Sequence, residues 1–287
     1  MSNRSDQLST FTLEGCNVRG GVVSLGDTWQ RILARHEYPD GIASLVGEAS
    51  VASVLMASHL KGGTSLNLQI VGEGPIRLLV VQCNRDLKVR AMADWRDPLP
   101  TGGLLGGGRL AVTLEPAMGE RYQGIVPIVG SGMAQSLDAY FQRSEQLATK
   151  LWLFANAHRA AGLMLQVIPR DDAQVEQETV GFEDVLAQVP LLHEPDLSDP
   201  ERFIQAHFGA WDVRLHAARP VGHDCRCTPS HLGNIVRMLG EEEVNSLLSE
   251  QGMVELTCEF CNRAFRYGPQ DAGAALAGGD VAGQLLH

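Results

Sequence analysis

Four of the six cysteines fall in two tight pairs toward the C-terminal end, Cys225-Arg226-Cys227 and Cys258-Glu259-Phe260-Cys261. Thirty residues separate the pairs. Zinc takes four soft donors at the corners of a tetrahedron, about 2.3 Å from each sulfur. Two chelating turns brought together by an intervening segment supply that geometry at low entropic cost. Four unrelated buried cysteines are the competing explanation, but two pairs at chelating spacing are hard to obtain by chance. His223 and His231 flank the first pair and are alternative ligands, although four cysteines already fill a closed site. A hydrolytic zinc needs an open position and usually His or carboxylate ligands. The deaminase pattern also fails, because Thr257 precedes Cys258. Cys225, Cys227, Cys258 and Cys261 are therefore predicted to hold one zinc ion in a closed, non-hydrolytic site.

Such a site is either structural or a switch. Thiolates held near a helix start and a metal are the reactive form of sulfur. Arg226 and the dipole of a helix beginning near Pro229 favour the anion. Oxidation would remove the donors. A bond within either pair closes only a very short loop and constrains little. The metal ties together segments thirty residues apart, and structural zinc supplies about 10–16 kcal/mol to a small module. Oxidation melts the module provided that the bonds form within each pair and not across them.

The elements that must position these pairs are legible nearby. Thr228-Pro229 has the form of a helix cap followed by Pro at the first helical position. HLGNIVRMLG then reads as a helix ended by Gly240, and EEEVNSLLSEQG as a second ended by Gly252. MVELTCEFCNRAFRY reads as a strand, a metal knuckle and a returning strand. Upstream, 42–60 reads as a helix with a small-residue face. Segments 66–72, 75–83 and 87–93 read as strands, 109–115 and 121–128 as a hairpin, 134–149 as a helix, and 150–157 and 162–169 as strands. Strands and helices come in groups rather than strict alternation, which indicates α+β. The organisation expected is an N-terminal mixed sheet and helix domain over 1–170, an acidic helical linker over 171–220, a small zinc-binding module over 221–268 and a flexible tail over 269–287.

Composition limits the functions available. The chain has 287 residues, 23 basic and 34 acidic, for a formal charge of -11. Residues 171–201 contain ten acids and no Lys or Arg, so the remainder, 34 − 10 = 24 acids against 23 bases, is nearly neutral. Val175, Val180, Phe182, Val185, Leu186 and Val189 suit an amphipathic helix, and Pro190, Pro195 and Pro200 then break any long one. Like charges along the stretch repel, so it should stay folded only while packed on a neighbour. No apolar run reaches the roughly 18 residues of a membrane span, and the N-terminus lacks an apolar signal core. A cytoplasmic location, with no membrane partner, is expected, and there spaced cysteines indicate metal or redox chemistry.

Other constellations carry less. GGLLGGGRL at 102–110 lacks the phosphate-loop order and reads as a turn before a strand. GSG at 130–132 lacks the nucleophile-elbow frame, and nothing supports a catalytic triad, so no enzyme is expected. A structural zinc-ribbon binding module, for nucleic acid or protein and without redox regulation, is the alternative function. Residues 221–269 hold four arginines against seven acids, a poor phosphate binder. A thioredoxin-type enzyme would need its C-x-x-C in an N-terminal βαβ unit. Cys83 ends an apolar strand and should be buried. Cys16 lies near a mobile start and should be exposed.

The C-x-C, thirty-residue insert and C-x-x-C, set in RPVGHDCRC and MVELTCEFCNRAFRY, resemble the heat shock protein 33 family. ASHLKGGTSLNLQIVGEGPIRLLVVQC, GRLAVTLEP with GERYQGIVPI, and DAYFQRSEQLATKLWLFA resemble that family's core, so the likeness spans roughly 40 to 268. The resemblance implies a redox-regulated, ATP-independent holdase chaperone that binds unfolding proteins. Its reduced, zinc-bound form would be inactive. Its oxidised form would carry Cys225–Cys227 and Cys258–Cys261 disulfides, lack zinc, have a partly unfolded linker and switch, and form a homodimer. The linker and the segment after Tyr267 have no clear counterpart in the resemblance.

Overall fold

A computed structural model describes residues 6–60, 64–168, 181–189, 192–279 and 284–285. The chain divides into two units, Met1–His223 and Asp224–His287. The first begins with an antiparallel pair, β1 (Gln7–Leu13) and β2 (Val18–Leu25), joined by a 3-10 turn over Glu14–Cys16. Asn17 closes that turn at φ 48°, a left-handed conformation that Asn tolerates better than most residues. The segment Gln7–Leu13 is therefore part of a sheet, and Cys16, expected to be exposed, is buried. Burial, then the nearby Asp184 charge, pushes its thiol up.

Helices α1 (Asp27–Leu33) and α2 (Asp40–Ser58) precede strands β3 (Ser65–Gly72), β4 (Ile76–Cys83) and β5 (Lys88–Trp95). The hairpin β6 (Gly108–Glu115) and β7 (Tyr122–Pro127) follows, then α3 (Met133–Tyr140), β8 (Thr149–Ala155) and β9 (Ala160–Val167). The helix expected over 134–149 stops early. It widens into a π turn over Phe141–Glu145 and ends at Gln146, φ 54°, which frees Thr149 to begin β8.

One sheet runs β10-β1-β2-β9-β8, where β10 is Val213–Leu215, and β11 (Arg219–Pro220) also pairs with β1. The other runs β12-β5-β4-β3-β6-β7, where β12 is Gly222–His223 and is parallel to β5. Helix α2 packs on both sheets, which is why it is buried nearly all round. By length and composition it could cross a bilayer, a candidate that counting uninterrupted apolar residues misses because of Glu48. Its small residues permit close approach: a Cβ on Gly47 would lie 2.4 Å from that of Ala155. Ser50 and Ser53 satisfy their buried hydroxyls on the carbonyls of Val46 and Ala49.

Strand β9, AAGLMLQV, lacks polar alternation because both of its faces are covered. Ala160 and Met164 join the core around α2, whereas Ala161, Leu163 and Leu165 join a second core. That second core is closed by the acidic segment: α4 (Phe182–Leu186), a 3-10 turn at Glu194–Leu197 and α5 (Pro200–Phe208). Val185, Leu192, Leu197, Phe203, Ile204 and Phe208 pack there on Phe11, Leu13, Val18 and Val22. Pro200, expected to break a helix, instead starts α5, with Asp199 capping the Arg202 amide at 3.2 Å. Residues 171–180 and 190–191 of the expected linker lie outside the described residues; the rest belongs to the first unit.

The second unit contains α6 (Pro229–Leu239), α7 (Glu241–Gln251), the hairpin β13 (Val254–Thr257) and β14 (Ala264–Tyr267), and α8 (Pro269–Leu276). Helix α8 corrects the flexible tail expected from 269. Gly268 precedes Pro269 at the first helical position, and Ala272 and Ala275 are buried in the unit's core. A contact face made of alanines lacks the large-residue periodicity that reveals most helices. Gln284–Leu285 add β15, antiparallel to β14. The remaining tail positions, 280–283 and 286–287, lie outside the described residues.

Candidate metal centre

The second unit brings the two cysteine pairs together by short local devices. Cys225 and Cys227 lie just before α6. Thr228 caps that helix, its Oγ1 accepting from the His231 amide at 3.1 Å, and Pro229 takes the first helical position. Glycine at 240 (φ 87°) turns the chain from α6 into α7, whose first turn carries Glu241, Glu242 and Glu243. Acids there complement the positive end of the helix dipole. Gly252 (φ 76°) then releases the chain into β13.

Cys258 and Cys261 sit in the turn between β13 and β14. The Cys258 amide donates to the Arg263 carbonyl at 2.9 Å. The Cys258 carbonyl accepts from Cys261 and Asn262 at 3.2 and 2.8 Å. Asn262, at φ 52°, makes the left-handed step that returns the chain to β14. Below the turn, Leu232, Val236, Val244, Val254, Phe265 and Tyr267 form the apolar core. The Tyr267 hydroxyl donates to the Pro229 carbonyl at 2.8 Å, tying β14 to the start of α6.

All four sulfurs lie within 4.8 Å of one another. Cys225–Cys227 is 3.4 Å, Cys225–Cys258 is 3.6 Å and Cys227–Cys261 is 3.2 Å. Four sulfurs at tetrahedral corners about 2.3 Å from a central ion would be about 3.8 Å apart. The arrangement is therefore close to a tetrahedral tetrathiolate shell. Cys227, Cys258 and Cys261 are buried and Cys225 is half-buried, as a closed site requires.

The electrostatics point the same way. A hydrogen bond from the Cys258 thiol pulls Cys225 down to about 3. Burial pushes Cys227 up to about 11. The bond to Cys225 pushes Cys258 well above the usual thiol range. One thiolate is welcome here and its neighbours resist following it. A divalent cation at the centre removes that resistance, because a coordinating thiol is deprotonated outright. The donor set fits a thiophilic ion of this kind.

Neither flanking histidine joins the group. His223 places Nδ1 3.0 Å from the Val89 carbonyl in the first unit, and His231 is exposed. Cys16 and Cys83 also lie elsewhere, both buried. One participant escaped the sequence analysis. Arg263 donates from Nη2 to Cys227 Sγ at 3.0 Å and from Nε to Cys261 Sγ at 3.3 Å. Its position two residues after Cys261 was the available signal.

Comparison with known proteins follows the same outline. The Hsp33 protein family matches residues 6–268. The 33 kDa chaperonin of Methylobacillus flagellatus is 38% identical over 277 residues, which cover 93% of each chain. That of Chromobacterium violaceum is 38% identical over 278 residues, covering 94% of this chain and 93% of its own. Among solved structures, the 33 kDa chaperonin (heat shock protein 33 homolog) of Thermotoga maritima aligns with a TM-score of 0.82 over 96% of this chain and 98% of its own, at 22% identity. That likeness is one of fold. The near-full-length relatives and the match from residue 6 to residue 268 establish that the chain belongs to the Hsp33 family.

Proposed function

We propose that this chain is an ATP-independent holding chaperone, not an enzyme, switched on by oxidation of Cys225, Cys227, Cys258 and Cys261. The observation that carries the proposal is the convergence of those four sulfurs within 4.8 Å from positions thirty residues apart. A zinc ion bound there supplies four metal–sulfur bonds that tie the two segments together.

Oxidation removes the donors. In each within-pair step, Cys225–Cys227 or Cys258–Cys261, two thiolates give up two electrons and form one S–S bond. One hydrogen peroxide accepts the electrons and, with two protons, becomes two waters. What then holds the second unit is a core too small to fold unaided. Within the first unit, α4 carries two acids and no base, and α4 and α5 cover the second core as short helices of five and nine residues. Their departure would bare Phe11, Leu13, Val18, Val22, Leu163 and Leu165. An apolar face of that kind binds partly unfolded clients. The released acidic chain keeps the opened form soluble, and a bared face also favours a homodimer. The excess of acids, in the second unit and in the chain as a whole, argues against nucleic acid as a partner, and the reading is completed by a cytoplasmic location with no membrane partner.

The test follows bound zinc, free thiols and suppression of client aggregation in the same samples, before and after peroxide with mild heat. Joint loss of one zinc and four thiols as holding activity appears is the expected result. Retained zinc and no activity under oxidant would make the site purely structural.

A further inference from the structure

We infer that Arg263 is a positioning residue that sets how readily the cysteine cluster is oxidised and gives up its metal. The inference rests on the cluster being a redox-sensitive metal site. The guanidinium reaches one sulfur of each pair, Cys227 at 3.0 Å and Cys261 at 3.3 Å. Its backbone carbonyl accepts from the Cys258 amide at 2.9 Å. The residue that closes the second pair's turn thus also crosses to the first pair. Asn262, at φ 52°, turns the chain between Cys261 and Arg263.

Two consequences follow from the chemistry. A tetrathiolate shell around a divalent ion carries net negative charge, which a guanidinium beside it offsets. N–H···S bonds also draw electron density from the sulfurs they reach and make them poorer nucleophiles toward peroxide. Outer partners that orient and neutralise metal ligands are worth roughly 10–100-fold in metal affinity. A planar fork can serve two acceptors at once, whereas a lysine ammonium is a single point donor on a flexible stem. Arg266, three residues on, is the natural control. It is directed instead to Glu255, at 2.7 Å.

The experiment compares the full-length zinc-loaded chain with Arg263→Ala, Arg263→Lys and Arg266→Ala. Two readouts are taken: zinc transfer to a chromogenic chelator under reducing conditions, and the rate of thiol loss under limiting peroxide. Arg263→Ala is expected to transfer zinc roughly 10-fold faster or more and to lose thiols several-fold faster. Arg263→Lys should fall between it and the parent, and Arg266→Ala should match the parent. Parent-like behaviour of Arg263→Ala in both readouts overturns the inference. So does equal acceleration by Arg266→Ala, which would reduce the effect to a lost surface charge. Should Arg263→Ala fail to fold, Arg263→Lys decides: a parent-like lysine variant overturns the inference. A parent chain that neither binds zinc nor loses thiols removes the redox proposal and this inference together. A responsive parent with an indifferent Arg263→Ala removes this inference alone.

Discussion

Each cysteine of the cluster matters through the other three, since a tetrahedral shell that loses a corner loses most of its closure. Replacing Cys258 and Cys261 by Ser should leave zinc poorly held and the chaperone partly active without oxidant. A double variant that stays tightly inactive under reducing conditions would contradict the switch. A second residue-scale effect sits in α2. Burial pushes Glu48 up to about 7 from 4.5, so the folded state prefers its neutral form. The linkage sign follows. Below about pH 4.5 both folded and unfolded states are protonated and the contribution to stability is intact. Between about pH 4.5 and about 7 the unfolded carboxyl ionises while the folded one stays protonated, so stability falls by on the order of 3 kcal/mol across that window and levels off above it. Glu48→Gln should therefore be more stable than the parent at about pH 8 and near parity at about pH 4.5, measured by urea denaturation. An equal gain at both pH values would rule out burial of charge as the cause.

At the scale of elements, the acidic layer is the informative one. Phe208 stacks on Phe11 with ring centroids 5.1 Å apart, and Gly20 makes room, since a Cβ there would lie 2.2 Å from the Phe11 ring. Phe208→Ala removes the largest anchor of α5. It should cost about 3–5 kcal/mol locally, which exceeds what so small a layer can spare. The expected outcome is faster amide exchange across α4 and α5 with unchanged exchange in α2; protection in α5 equal to the parent's would show that the layer is held by something else. Legibility also divided by element. Strands β3 to β7 and helices α6 and α7 were readable because each carries an apolar period or a cap, and α2 because its run of small and apolar residues is long. The four cysteines were readable because chelating spacing is local. Strands β1 and β2 were missed, because Gly20 and Gly21 and the polar positions of β1 blur the pattern that a neighbouring strand completes. Helix α8 was missed because alanines mark its buried face. The Arg263 contacts were signalled only by its place two residues after Cys261, because sequence gives separation along the chain but not the reach of a guanidinium across a folded turn.

At the scale of the molecule, the two units have separate cores and should fail separately. All four tryptophans, Trp29, Trp95, Trp152 and Trp211, belong to the first unit, so their fluorescence reports nothing of the second. Stripping zinc with a chelator under reducing conditions should therefore abolish the circular dichroism of α6, α7 and α8 while tryptophan emission holds. Mild heating or oxidation should next release the acidic layer. Trp211, 6.1 Å from Phe208 between ring centroids, reports that step. Trp29 is fully buried in the core around α2, its indole donating to the Asn156 carbonyl at 2.7 Å, and should respond only at global unfolding. Single-tryptophan variants separate the probes. The order matters more than any one midpoint, because a holdase must open its cover while the sheet beneath keeps its shape. If Trp29 becomes solvent-exposed in step with the loss of helix signal, the sheet melts with its cover. Then no preformed face remains for clients, and the proposed mechanism fails at its central step.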